Sequence, residues 1–383
     1  MALAMQGDDI SLFAGHAADL ADLAERARLR SLRAREGIDF ASNDYLGLAD
    51  APRLKQAIAE AMQRGVPVGS GGSRLLRGNA EEHVALEEDA ARFFGCESAL
   101  FFANGYGANS ALLSALPQRG DLILYDRLIH ASAHEGMRLS RADRAGARHN
   151  DPDSFADAIA RWREKGGKGR IWIVVESLYS MDGDRAPLAE LAALADAHDA
   201  ILIIDEAHAT GVFGPDGRGL AADLDGRENV IAMRTCGKAL GCEGALVCGP
   251  RVVADFLVNR GRGFIFSTAP SPLLAAGVRE ALRICADEPE RRESLFALIR
   301  HAGQALAPLG VEPTGSQIIP IILGDDDRTM RAAAAMQEAG FDIRGIRPPT
   351  VPTGTSRLRL SLTLNATPSD VDALAQMLAR VLR

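Results

Sequence analysis

The run Ile201-Leu202-Ile203-Ile204-Asp205-Glu206-Ala207-His208-Ala209-Thr210-Gly211 puts a four-residue apolar strand directly before a carboxylate, with an imidazole three residues further on. A strand that is apolar at every position is buried on both faces, as in a parallel sheet covered by helices. Titratable groups at its carboxyl end then fall in the crevice where open α/β sheets bind their ligands. Read alone, the same residues also suit an Asp that caps the next turn and a His bonded to backbone.

Similar runs lie on either side: Ala99–Phe102, Leu122–Tyr125, Ile171–Val175, Val230–Met233 and Ala245–Cys248. From about Leu48 to Cys248 they alternate with helical patterns, which predicts an α/β domain on a largely parallel sheet. Upstream, Ala17–Arg35 has the apolar spacing of an amphipathic helix, followed by a short strand or turn region over 38–48. Downstream, helices are predicted over Ser271–Ala286 and Arg291–Pro308, then a strand Gln317–Leu323, a helix Arg328–Ala339, a strand Arg357–Thr363 and a helix from Pro368. The expected units are an N-terminal helix and arm (1–47), a large domain (48–286) and a small α+β domain (287–383). No repeat or low-complexity linker separates them, so the lobes are expected to pack together.

A chain of 383 residues exceeds one small core, and 47% hydrophobic with 25% charged residues is a globular composition. The net charge of −8 disfavours a general nucleic-acid or membrane-surface binder, while leaving room for a local Arg-rich anion pocket. Five cysteines show no C-x-x-C spacing, and Cys236, Cys242 and Cys248 read as small core or loop residues rather than a zinc site. Residues 1–15 lack a secretory pattern and no apolar run approaches a membrane span. A soluble protein of the reducing cytoplasm is expected.

Four of the 43 basic residues are lysines. Lys55 lies on an amphipathic helical stretch, and Lys165 and Lys168 lie in a polar turn. Lys238 instead sits in Thr235-Cys236-Gly237-Lys238-Ala239-Leu240-Gly241, between two apolar runs. Desolvation disfavours an ammonium, and a neutral amine is what imine chemistry requires. The 33 residues from Asp205 to Lys238 allow a crossover that returns the amine beside the carboxylate. Such a pair suits pyridoxal 5'-phosphate (PLP), with an amine for its aldehyde and a carboxylate for its pyridine nitrogen. His208 could reach the ring oxygen. Asn104-Gly105-Tyr106-Gly107-Ala108-Asn109 after a strand offers backbone N–H groups to a phosphate, and Thr235 a hydroxyl. Glycine turns precede many helices, so that segment is weak by itself.

Six segments in order, SNDYLGL (42–48), GSGGSR (69–74), DRLIHAS (126–132), ESLYSMDGD (176–184), DEAH (205–208) and TCGK (235–238), resemble the α-oxoamine synthases. These are fold-type I PLP-dependent transferases that condense an amino acid with an acyl thioester. The resemblance runs from about residue 30 to 365. It implies that Lys238 holds the cofactor as an imine and carries the proton. By the same likeness Asp205 faces the ring nitrogen, His208 and Ser180 lie near the ring oxygen, and His130 stacks on the ring. Gly105, Tyr106 and Thr235 form the phosphate set, and Ser267 and Thr268 in FSTAP serve the neighbouring subunit of a homodimer with shared sites.

Within the family, the stretch RPPTVPTGTSRLRLS (347–361) looks most like the biotin-pathway member, which joins L-alanine to a pimeloyl thioester and releases carbon dioxide and the free thiol. Arg359 would then clamp the amino-acid carboxylate with Asn43 nearby, Arg347 and Thr350 would lie near the acyl chain, and Arg30 would add an anion contact. Arg357 and Arg359 alternate on one strand and share a face, so a structural role for one stays open. His130 would also bond the thioester oxygen as charge develops. Glu243 brings a carboxylate near Lys238, and Glu206 stands where many members carry Asp. The rival readings are glycine C-acetyltransferase, 5-aminolevulinate synthase or serine palmitoyltransferase chemistry, or a non-catalytic PLP-binding module. A dehydrogenase is disfavoured because no G-x-G-x-x-G opens a helix after the first strand.

Overall fold

A computed structural model describes residues 11–382; the first ten positions of the expected arm, and Arg383, lie outside the described residues. A short strand β1 (Ile38–Asp39) precedes β2 (Ser98–Phe102), β3 (Leu122–Asp126), β4 (Asp143–Ala147), β5 (Ile171–Glu176), β6 (Ile201–Asp205), β7 (Val230–Thr235) and β8 (Ala245–Gly249). The last seven form one sheet in the order β2-β8-β7-β6-β5-β3-β4, with β8 antiparallel to both neighbours and the pairs from β7 to β4 parallel. Alternate residues of the central strands enter opposite apolar layers. Trp172, Val174, Ile203 and Ile231 pack with Ala108, Leu112 and Met137, whereas Ile173, Val175, Leu202 and Ile204 pack with Phe155, Ile159 and Leu191. That two-sided burial is why these strands read as continuous apolar runs. β4 has no such run: an edge strand is paired on one side only, and its Asp143 and Arg144 are exposed.

Beyond the sheet follow helices Pro272–Asp287 and Pro289–Leu306, each with Pro in its first turn, where a missing N–H costs nothing. Then come β9 (Ile318–Gly324), helix Asp326–Glu338, β10 (Phe341–Asp342), β11 (Arg344–Ile346), β12 (Ser356–Ser361) and helix Pro368–Val381. β11, β12 and β9 form an antiparallel sheet in that order, and β1 pairs with β10 in parallel. One apolar cluster runs from Phe40 and Leu48 through Phe94, Phe101 and Leu246 to Leu298, Leu360 and Leu378. The C-terminal elements are therefore packed onto the large sheet, not tethered to it.

The expected helix Ala17–Arg35 is corrected: the helix spans Ala14–Glu25, and Ala27 turns the chain with a φ of 54°. Beyond it the chain is drawn to helix Asp326–Glu338, where Arg28 Nε donates to Asp326 at 2.7 Å and Arg33 to Gln337 at 2.5 Å. These partners lie about 300 positions away, beyond the reach of local periodicity.

Candidate active site

β7 and β8 form a hairpin, and Lys238 lies in its connection. Backbone bonds tie that connection down: Cys236 N donates to Gly244 O at 2.8 Å, Gly241 N to Lys238 O at 2.9 Å and Cys242 N to Cys236 O at 2.9 Å. Gly241 and Gly244 have φ of +62° and +106°, and a Cβ would meet the Leu48 backbone or the Phe101 ring at 2.4 Å in either place. Only glycine allows both the conformation and the close approach. The loop thereby holds Lys238 half-buried, while Lys55, Lys165 and Lys168 are exposed.

Register sets the floor of the cavity beside it. Glu176 pairs with Asp205, and Asp205 with Met233, so one rung across β5, β6 and β7 carries three side chains to the same face. The cavity, about 130 Å³, is lined by this rung, by Gly105, Tyr106, Asn109, His130, Ser132, Ala207, His208 and Thr235, and by Lys238. Seven of the expected site residues thus meet in one place. Asn104 caps helix Gly105–Ala115 by accepting from Gly107 N at 2.7 Å, which aims that helix start at the cavity. A Cβ at Gly105 would stand 3.7 Å from Thr235 Oγ1, placing the two expected phosphate groups side by side.

Burial pushes the Lys238 ammonium below its usual range, with Asp205 and Glu176 opposing and Arg359 assisting. Asp205 is fixed by Asn109 Nδ2 at 2.7 Å and Ala207 N at 2.9 Å. Asn109 Nδ2 also donates to Ser132 Oγ at 3.0 Å, and Ser132 Oγ lies 2.8 Å from His130 Nδ1. The Ser132 N–H donates to the same Nδ1 at 3.2 Å, so Nδ1 is the acceptor and the proton of neutral His130 sits on Nε2. Burial lowers the His130 pKa, Asp205 opposes this, and Lys238 adds to it. Burial also drives His208 well below its usual range, reinforced by Lys238, Arg359 and His130. Both imidazoles are neutral near pH 7.

A second chain of contacts leads away from the cavity. His208 Nδ1 lies 2.6 Å from Tyr45 Oη, which donates to Asn43 Oδ1 at 2.9 Å; Arg359 Nη2 donates to the same oxygen at 3.2 Å. Arg359 is buried, and its Nε donates to Ser180 O at 2.6 Å. Arg357 pairs with Asp182 at 2.5 Å. The two arginines do share a face, and Arg357 is the one committed to an ion pair. Ser180 lies outside the cavity lining, held by its N–H to Glu176 Oε2 at 3.1 Å.

Arg30, Arg347 and Thr350 meet one another elsewhere. Arg30 donates to Thr350 Oγ1 at 3.3 Å, and Arg347 Nη2 to Leu29 O at 2.8 Å, joining the arm to the segment after β11. Ser267 and Thr268 are exposed beside Phe266, itself 70% exposed. Glu243 is exposed as well. Glu206 turns away from the cavity and meets the fully buried Arg234 at 3.2 Å, which also binds Asp225 at 2.6 Å and lies over the Phe94 ring. The longer Glu side chain spans to the neighbouring strand.

The class I and II aminotransferase family model matches residues 35–378. An 8-amino-7-oxononanoate synthase of Anaeromyxobacter dehalogenans is 46% identical over 348 residues, covering 90% of this chain and 86% of the relative. One of Geobacter sulfurreducens is 43% identical, covering 95% and 97%. This chain belongs to the 8-amino-7-oxononanoate synthase family. Among solved structures, a serine palmitoyltransferase of Sphingomonas wittichii superposes with a TM-score of 0.87 at 28% identity over 98% of both chains. The 8-amino-7-oxononanoate synthase of Francisella tularensis gives 0.75 at 27%, covering 90% of this chain and 98% of its own. The enzyme has the fold-type I architecture and is a PLP-dependent acyltransferase. The cavity fits that cofactor: it offers an amine whose hold on its proton burial weakens, a fixed carboxylate on the floor, and a helix start beside a threonine hydroxyl.

Asn109, Ser132, Tyr45 and Glu176 are site residues that carried no role in the sequence. All four lie inside the quoted segments, but nothing local marks Asn109 and Ser132 as holding Asp205 and His130. A further cluster fixes the loop that carries Ser180: His149 bridges Asp126 (3.0 Å) and Asp184 (2.8 Å). These carboxylates overcome burial and push His149 from 6.5 up to about 10. A raised pKa in the folded state gives stability that is complete below about 6.5 and is lost as pH rises toward about 10. Because Asp184 is partly exposed, we expect a loss of about 1–2 kcal/mol over that window. Urea unfolding of wild type and H149Q checks it: the variant should lack this decline, and parallel pH profiles would refute it.

Proposed function

We propose that this enzyme condenses L-alanine with a pimeloyl thioester, of coenzyme A or of a carrier protein, to give 8-amino-7-oxononanoate, carbon dioxide and the free thiol. The observation that carries the reading is the single cavity in which the Lys238 amine, the Asp205 carboxylate and two neutral imidazoles converge. PLP, when bound, supplies an electron sink for the negative charge that forms at the amino-acid α-carbon.

Lys238 would hold the cofactor through Nζ and, when that nitrogen is free, would take and return the α-proton there. Its buried setting favours the neutral amine needed for that task. Asp205, oriented by Asn109 and Ala207, faces the pyridine nitrogen and keeps it protonated. Gly105, Tyr106 and Thr235 hold the phosphate, with His208 and Ser180 near the ring oxygen. His130 covers the ring and turns Nε2–H toward the thioester oxygen as charge develops there. Arg359, steadied by Asn43 and the Ser180 carbonyl, binds the alanine carboxylate. Arg30, Arg347 and Thr350 lie toward the acyl chain. Ser267 and Thr268 reach the partner's phosphate in a homodimer, a use that suits their exposure. We divide the chain into units 1–47, 48–286 and 287–383, of which residues 11–382 are described. No described helix is long and apolar enough to cross a membrane, and we assign the enzyme to the cytoplasm.

A substrate panel tests this: alanine with a pimeloyl thioester should exceed glycine or serine with any acyl donor, and faster turnover with glycine or serine would overturn the assignment. Arg359→Ala should raise the KM for alanine about 10- to 100-fold, the worth of a charge-assisted contact, with a smaller effect on the thioester KM. Equal changes in both would remove Arg359 from the carboxylate.

A further inference from the structure

Glu176 is a buried carboxyl group that the scheme above leaves idle. It is 2% exposed and lines the cavity beside Asp205. Oε2 accepts one bond, from Ser180 N at 3.1 Å; Oε1 is buried without any partner. Two carboxylates on one rung, a strand spacing apart, cannot both ionise cheaply. Asp205 accepts two hydrogen bonds, from Asn109 Nδ2 and Ala207 N. Glu176 has one, with Asp205 and Asp126 as its acidic neighbours and Lys238 as its basic one. Burial and Asp205 together raise its pKa well above the ordinary carboxyl range, against Lys238 and the Ser180 amide.

The rung also fixes which flank of the cofactor Glu176 meets. Thr235, on β7, and Gly105 mark the phosphate side, with Asp205 at the centre; Glu176, on β5, is on the opposite side. In PLP the flank of the ring away from the phosphate arm carries the ring hydroxyl. We propose that Glu176 is a further cofactor-contacting residue, working as the neutral acid and donating from Oε1 to that ring oxygen. This rests on the PLP reading of the cavity. A donor at that oxygen draws charge from it and makes the nearby cofactor nitrogen less basic.

The test compares wild type, Glu176→Gln and Glu176→Ala. Infrared difference spectra of the cofactor-free and loaded protein near pH 7 should show a protonated-carboxyl stretch in wild type that Glu176→Gln lacks. In the loaded enzyme, the pH midpoint of the visible band should rise about one unit, tenfold in proton affinity, in Glu176→Ala, and stay near wild type in Glu176→Gln, whose amide still donates. A missing protonated-carboxyl band, or a Gln variant shifted as far as Ala, overturns the proposal, as does a midpoint common to all three. A protein that forms no visible band under any condition defeats the cofactor reading instead, while the infrared comparison still reports on Glu176.

Discussion

Lys238→Ala is expected to lose turnover by a factor of at least about 10⁴, because one substitution removes both the covalent anchor and the proton carrier. Nothing else in the cavity replaces it: the lining holds one lysine, and the imidazoles of His130 and His208 are committed to Ser132 and Tyr45. The loss should not come from unfolding, since the loop around residue 238 is held by backbone bonds at Cys236, Gly241 and Cys242. Circular dichroism and thermal midpoint should therefore match wild type while kcat collapses. Turnover within about tenfold of wild type would remove Lys238 from the chemistry.

Asp205→Ala should cost about 10²–10³ in kcat, as expected for the removal of a fixed charge opposite a site where charge develops. At about 1.4 kcal/mol per factor of ten, that is roughly 3–4 kcal/mol of barrier. Asn109 then loses the acceptor it holds at 2.7 Å, so its link through Ser132 to His130 slackens as well. Asn109→Ala should show a smaller loss in the same direction, because Ala207 N still holds Asp205 at 2.9 Å. The measurement is kcat at saturating alanine and thioester, with cofactor content checked by absorbance. An Asp205→Ala enzyme that keeps its cofactor and loses less than about threefold would contradict the assigned role.

The central strands were legible because burial on both faces leaves a simple mark, an unbroken apolar run such as Ile201–Ile204. β4 was not, since an edge strand with Asp143 and Arg144 in solvent carries no such mark. The arm was misread beyond Glu25: its arginines satisfy partners in the 326–338 helix, and helical spacing does not encode that. In the site, Lys238 stood out because a basic residue among buried strands conflicts with its surroundings. Asp205 and His208 followed from the strand end. Asn109 and Tyr45 escaped because their function lies in contacts across 96 and 163 residues, to Asp205 and His208. Glu176 carried no reading of its own in the sequence; only strand register puts it on the same rung as Asp205. Arg359 was readable as a candidate, yet only the Asp182 pair separates Arg357 from it.

Borohydride reduction of the loaded enzyme, followed by proteolysis and peptide mapping, tests the centre of this account most directly. We predict a single pyridoxyl-modified peptide containing Lys238, with the exposed Lys55, Lys165 and Lys168 unmodified and the starting visible band altered by alanine before reduction. Modification spread over the exposed lysines, or absent from Lys238, would contradict it.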